Sequence, residues 1–322
     1  MKAVICKKYG PSEDLKIEEV EKPVPKEDEV LIKIHATAIN DYDWSMVRGE
    51  PYLYRLLFGI TKPKRPIPGM ELAGEVKGRG KNATAFQVGD AVYGDISEYG
   101  FGSFAEYVCV NEKSLVLKPG NMSFEQAAAT SHASMLAVQW LIDKGQIQEG
   151  HNLLINGAGG GVGTFGLQIA KQYGAEVTGV DTGDKLKTMK SIGFDHVLDY
   201  KKVDFTRAGQ QYHLILDVKT TRSTFAYLQA LKPEGKYVTV GGNLIRLLQL
   251  LFLKGFISKF HKKSVHLVAL QANKDLEYIH QLFDEGKVKP QIDGPYPLEE
   301  IPRLIQYFGQ GKHCGKVVIK LF

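Results

Sequence analysis

The stretch LLINGAGGGVGTFGLQIAKQYGAEVTGVD, residues 153–181, decides how this chain folds. Its apolar opening, Leu153, Leu154 and Ile155, reads as a buried strand. Five glycines follow within seven residues: Gly157, Gly159, Gly160, Gly161 and Gly163. A helical pattern over 165–173 comes next, and Gly174 ends it. A second strand at 176–180 closes the unit on Asp181. Strand, glycine loop, helix, strand and terminal acid predict a dinucleotide-binding βαβ unit. The reason is physical. A pyrophosphate must approach bare main-chain N–H groups at a helix N-terminus, where the dipole favours negative charge. A Cβ at the turn would block that approach. The spacing G-x-x-G-x-x-G falls on Gly157, Gly160 and Gly163, so the cradle is Gly157, Ala158, Gly159, Gly160, Gly161, Val162 and Gly163. Asp181 stands where a carboxylate can accept both ribose hydroxyls.

The rest of the chain supplies a context for this unit. With 322 residues, 43% hydrophobic and 24% charged, the chain is globular and long enough for two domains. A net charge of +5 with no long basic block gives no case for nucleic acid. Three widely spaced cysteines, Cys6, Cys109 and Cys314, exclude a disulfide framework and point to a reducing compartment. The start, MKAVICKKYG, lacks the apolar core of a secretory signal, so a cytoplasmic location is expected.

Residues 2–37 read as β-structure, with Val30, Ile32 and Ile34 on one buried face. Residues 40–49, NDYDWSMVRG, read as a loop. Short strands cut by turns over 66–110 predict a small all-β barrel. Ser123 with Gln126 three residues later predicts a capping box that opens a helix running toward Lys144. Strands then alternate with helices to Gly242, which implies a parallel sheet. Residues 244–260, LIRLLQLLFLKGFISKF, break the pattern. As a helix they would span about 25 Å, short of a bilayer core of about 30 Å. A buried contact helix and an interfacial anchor with Arg246, Lys254 and Lys259 on lipid headgroups both fit this stretch.

Barrel, nucleotide fold and C-terminal return together resemble the medium-chain dehydrogenase/reductase superfamily. The resemblance covers essentially the whole chain. It is carried by MKAVICKKYG with LKIEEV, by Asn40, Asp43 and Trp44, and by PIPGMELAGEV at 66–76. VGDAVYG, GSFAEYVCV and INGAGGGVGTFGLQIAK extend it. The subgroup it resembles is the zinc-independent quinone oxidoreductases and related enone reductases. The resemblance implies an α/β fold: a Rossmann doubly wound parallel sheet plus a GroES-like β-barrel catalytic domain. It places the first part of the barrel domain at 1–122 and the nucleotide domain at 123–266, with an apolar insert at 243–262. The last core strand and a return to the catalytic domain occupy 267–322.

The resemblance also implies site residues. Zinc-containing members place catalytic ligands where this chain has Asn40, Met70, Glu71 and His132. An amide and a thioether replace two ligands, and no C-x-x-C occurs, so no zinc is expected. Hydride addition to a conjugated carbonyl needs no metal, because hydrogen-bond donors can stabilise the enolate-like oxygen. Asn40, Tyr42, His132 and Ser134 are the candidate donors. Asp181 argues for NADH, whereas Thr182, Lys185 and Tyr200 occupy positions where related NADPH-dependent reductases contact a 2′-phosphate. The balance falls on NADPH over NADH. Gly241 and Gly242 are expected beside the nicotinamide.

The sequence therefore predicts a metal-free NAD(P)H-dependent reductase of a quinone or α,β-unsaturated carbonyl, expected as a homodimer, with 244–260 left open between a buried contact helix and a peripheral membrane contact. Two alternatives stay open: an enzyme acting on another activated carbonyl such as an acyl thioester, and a nucleotide-sensing interaction protein with the same fold.

Overall fold

The computed structural model describes residues 1–241, 247–250, 252, 253, 255, 257 and 262–322. Two compact units emerge. The first comprises Met1–His132, Ala272–Leu276 and Ile292–Phe322, and the second Ala133–Gln271 and Glu277–Gln291. The boundary differs from the expected one: it falls inside a helix rather than before it, and the segment after 267 divides between both units.

Elements are numbered in chain order. The first unit holds β1 (Lys2–Ile5), β2 (Lys16–Glu19), β3 (Glu29–Ala38), β4 (Glu71–Arg79), β5 (Ala91–Asp95), β6 (Tyr107–Asn111) and β7 (Val116–Leu117). The second holds β8 (Asn152–Asn156), β9 (Glu176–Asp181), β10 (His196–Asp199), β11 (Tyr212–Asp217), β12 (Leu231–Thr239) and β13 (Ser264–Leu267). Strands β14 (Ile292–Pro297) and β15 (Lys316–Lys320) return to the first. The helices used below are α1 (Asp41–Arg48), α2 (Tyr54–Phe58), α3 (Phe124–Val138) and α4 (Gly161–Lys171).

In the first unit a seven-stranded sheet runs β14-β15-β3-β4-β5-β7, with β6 also pairing β3. Strands β1 and β2 form a separate antiparallel pair. Among the described residues no pairing joins β14 to β7, so the expected barrel domain forms here without closure of those two edges. Strand β3 pairs with β15, β4 and β6 and carries one continuous apolar face, while its other face mixes buried Leu31 and Thr37 with half-buried Lys33 and His35. Val30, Ile32 and Ile34 are fully buried, as the alternation predicts, and Leu31 on the opposite face is buried too. Each such side chain contributes about 1.5–3 kcal/mol on burial.

The expected loop at 40–49 is helix α1 for most of its length. Local chemistry explains this. Asp43, at the third helical position, accepts the Asn40 amide at 2.9 Å, and Gly49 closes the helix in the left-handed region at φ 64°. Met46 and Val47 are buried on the inner face. Helix α3 begins at the predicted capping box, with Ser123 N–H donating to Gln126 at 2.9 Å and Gln126 N–H to Ser123 Oγ at 3.1 Å.

The second unit is a six-stranded parallel sheet in the order β10-β9-β8-β11-β12-β13. Strands β8 and β11 lie at its centre, and Leu153, Leu154 and Ile155 are fully buried. Helix α4 starts at Gly161, earlier than the apolar period suggested, because the glycine loop turns directly into it. Of the apolar insert, residues 247–250 are helical, Leu250 and Ile257 are buried, and Phe252 is exposed. Gly242, Arg246, Lys254 and Lys259, on which earlier expectations rested, lie outside the described residues. Among the described residues no helix is long and apolar enough to cross a membrane.

Candidate active site

The second unit presents bare main chain at the start of α4. Gly157 leaves β8 at φ 87°, a left-handed conformation that a side chain would strain. Gly157 N–H and Ala158 N–H both donate to Val180 O, at 3.0 and 3.1 Å, which stitches the loop to β9. A Cβ on Gly163 would stand 2.5 Å from Ala158 O, so only glycine lets α4 pack this close. Gly160 is the N-cap of α4, and no side chain caps the helix. The N-terminal amides from Gly161 through Val162 to Gly163 thus face no competing side-chain oxygen, as a bound diphosphate requires.

Asp181 does a different job from the one expected. It is buried, Oδ2 accepts the Gly159 amide at 2.9 Å, and Oδ1 accepts the Thr182 amide at 2.8 Å. The buried Lys185 ammonium lies 3.2 Å from Oδ1. The carboxylate therefore pins the glycine loop and is neutralised in place, rather than standing free to take ribose hydroxyls and repel a phosphate. The half-exposed Tyr200 joins this group, its amide donating to Asp181 O at 3.3 Å. Thr182, Lys185 and Tyr200 are thus gathered at the C-terminal ends of β9 and β10. Gly241 lies beyond β12, its carbonyl accepting the Thr220 hydroxyl at 3.1 Å. Sequence reasoning missed Asp217 beneath this edge. Fully buried, it accepts Asn156 Nδ2 at 2.8 Å and the Tyr237 hydroxyl at 2.7 Å, tying the ends of β8, β11 and β12 together. These residues fit a dinucleotide: uncapped helix amides, a glycine turn and a cation near the end of β9.

The first unit gathers the candidate chemistry. His132 on α3 sets ring Nδ1 2.7 Å from Asp95 Oδ2, at the end of β5. Asp95 is fully buried. Burial alone would raise its pKa, but hydrogen bonds from His132 and Ser97 outweigh that, and the carboxyl titrates below its usual range. An ionised Asp95 accepts from Nδ1, and Nε2 is the ring nitrogen that this pair leaves over. Asp95 was not among the expected residues; its partner is 37 positions away. The Tyr42 hydroxyl is held above its usual pKa by burial and then by the charge of Asp95, so it stays a neutral donor. Its ring stacks on Tyr54 at 5.9 Å and meets Phe58 edge-on at 6.4 Å, and Phe58 meets Phe101 at 5.4 Å. This aromatic wall suits a flat conjugated acceptor.

Two expected donors are placed differently. Asn40 is buried, its Nδ2 donates to Glu71 Oε1 at 2.9 Å and to Ala38 O at 3.5 Å, and its Oδ1 accepts Lys316. Its amide is committed inside the protein, so it has no proton left for a substrate oxygen. Ser134, in the second unit, is fully buried with no hydrogen-bond partner for Oγ. Nearby, burial pushes the Asp43 carboxyl up to about 8 despite amide donors from Asn40 and Gly69.

The positions that the resemblance assigns to catalytic zinc do not fit a zinc ion. Glu71 accepts Lys316 and Asn40 on Oε1, and Ser131 Oγ and His132 N–H, each at 2.9 Å, on Oε2. All four of its lone-pair directions are filled, one by an ammonium. Met70 is a fully buried thioether, and His132 Nδ1 is given to Asp95. A zinc ion needs about three free N, S or O donors and an open position.

Comparison with known proteins places the chain in a family. Residues 26–120 match the family model for the alcohol dehydrogenase GroES-like domain. Residues 192–319 match the model for zinc-binding dehydrogenases. The chain is 34% identical over 331 residues to the 2-methylene-furan-3-one reductase of Solanum lycopersicum, across 99% of this chain and 79% of that one. It is 31% identical, with the same shares covered, to the NADPH-dependent alkenal/one oxidoreductase of Arabidopsis thaliana. The solved quinone oxidoreductase of Coxiella burnetii superposes with a TM-score of 0.88 at 26% identity, across 100% of this chain and 99% of that one. The chain belongs to the medium-chain dehydrogenase/reductase superfamily, within its quinone oxidoreductase-like group of oxidoreductases.

Proposed function

We propose that this protein uses NADPH to reduce a quinone or an α,β-unsaturated carbonyl without a catalytic metal. The observation that carries the reading is the buried Asp95–His132 pair, whose charge reaches the hydroxyl of Tyr42 in the aromatic wall of Tyr42, Tyr54, Phe58 and Phe101. The named reactions of the tomato and Arabidopsis relatives support the same acceptor class. Bound NADPH would supply the hydride. Gly157 to Gly163 would hold its diphosphate, with Thr182, Lys185 and Tyr200 near its 2′-phosphate. Preference for NADPH over NADH rests on Asp181 being neutralised by Lys185, which removes the repulsion expected of a free carboxylate.

In the first unit, the wall stacks the flat acceptor and excludes water, and Tyr42 donates a hydrogen bond to the oxygen that gains charge. His132, protonated, gives up its Nε2 proton to the reduced acceptor. The imidazole is left neutral with Nδ1–H on Asp95, so one hydride and one proton account for the two-electron reduction. Steady-state oxidation of NADPH and of NADH with 1,2-naphthoquinone and with a short enone tests the reading. Turnover with either acceptor, faster with NADPH, is expected. Tight nucleotide binding with no turnover over a wide acceptor panel would instead favour a nucleotide-sensing protein. We further propose a homodimer, tested by light scattering. Membrane contact through 244–260 is tested by flotation with anionic liposomes.

A further inference from the structure

The cluster around Glu71 holds its own cation. Glu71 opens β4 and is fully buried, and Lys316 opens β15 and is 4% exposed. The Lys316 ammonium donates to Glu71 Oε1 and to Asn40 Oδ1. On the other side, Glu71 Oε2 takes Ser131 Oγ and the His132 amide. One ammonium, one carboxylate and one amide thus join β4, β15, the N-terminus of α1 and the middle of α3. Two of these elements carry the candidate chemistry: Tyr42 lies in α1 and His132 in α3.

We propose that Lys316 is a positioning residue, serving as the resident cation of this cluster in the place that zinc-containing relatives give to a metal. A carboxylate with four donors around it and no countercharge would be expensive to bury. The ammonium balances the Glu71 carboxylate, and the four hydrogen bonds on that carboxylate fix the amide and helix that present Tyr42 and His132. Three features set this role apart from ordinary core packing. The two charges are buried together, they share Asn40 between them, and their partners are polar groups rather than apolar contacts. The inference does not depend on which acceptor is reduced.

The test uses the full chain and three variants: Lys316→Ala, Lys316→Met, and the neutral double variant Lys316→Met with Glu71→Gln. Lys316→Ala is expected to lower the unfolding midpoint by roughly 10 °C, because it strands a buried charge. Ethylammonium chloride, which can refill the vacated volume, should recover part of that loss; sodium chloride at equal ionic strength should not. The double variant should be more stable than Lys316→Met alone and indifferent to ethylammonium. If Lys316→Ala does not fold, the comparison of Lys316→Met with the double variant still decides. Elemental analysis of the wild type should find zinc well below one ion per chain. Three results would overturn the proposal: equal recovery by sodium and ethylammonium, a double variant no better than Lys316→Met, or stoichiometric zinc in the wild type. NADPH affinity, followed by cofactor fluorescence, should be unchanged throughout, so a failed acceptor assay would leave this outcome readable.

Discussion

At the scale of single residues, the proposed chemistry falls on the Asp95–His132 pair. His132→Gln keeps a side chain of similar size but cannot carry a transferable proton. It should lower kcat by about 100-fold or more with a much smaller change in KM. An unchanged kcat would remove His132 from the reaction. Asp95 makes a second, thermodynamic prediction. Its carboxyl titrates below the usual carboxylate range when folded. The folded chain therefore binds that proton less tightly than the unfolded chain. The stabilisation is fully present above the unfolded pKa and is lost as pH falls through the depressed folded value. Denaturant unfolding between pH 3 and 7 should show a steeper acid loss in the wild type than in Asp95→Asn. Parallel curves would mean that the pair adds no stability. Neither Asp95 nor Lys316 could be read from the sequence in these roles. Their partners are 37 and 245 positions away, and nothing local marks an acid or a lysine as half of a distant pair.

Among elements, what was legible was local. The glycine loop announces itself because its strand, turn, helix and second strand all fall within 153–181, and each signal has a short period. The capping box at Ser123 was legible for the same reason. Helix α1 was not, since DYDWS is polar and short and its inward face is set by tertiary burial. Yet Asn40, Asp43 and Gly49 carried the cap and stop signals that an apolar pattern alone overlooks. The GroES-like barrel domain was legible in the strand rhythm, but whether its two edge strands pair was not, because spacing between strands says nothing about closure. Gly163→Val tests the loop at this scale. A side chain there meets Ala158 main chain at 2.5–2.7 Å, so the turn must open. NADPH affinity, by fluorescence titration, should fall at least about 100-fold, or roughly 2.7 kcal/mol. Near-normal affinity in a folded variant would refute the cradle.

For the whole molecule, two units with separate cores make ligand effects separable. NADPH at about one hundred times its dissociation constant should stabilise the nucleotide-binding unit by about 2.7 kcal/mol. Calorimetry with and without NADPH should raise the midpoint of at least one transition, and no shift at saturating nucleotide would contradict binding. Chelation is the complementary experiment. With Glu71 saturated by internal donors, dialysis against EDTA or 1,10-phenanthroline should leave turnover within about twofold, the order of an ordinary surface change of under 0.5 kcal/mol. Activity lost to the chelator and restored by zinc would show that a metal takes part.

The clasp between Asp181 and the Gly159 amide bears on engineering. Designers commonly retune coenzyme choice by exchanging the acid that ends the second strand. In this protein that exchange would first unhook the turn proposed to hold the diphosphate, so a replacement unable to accept an amide proton should forfeit binding of either coenzyme before any selectivity is gained.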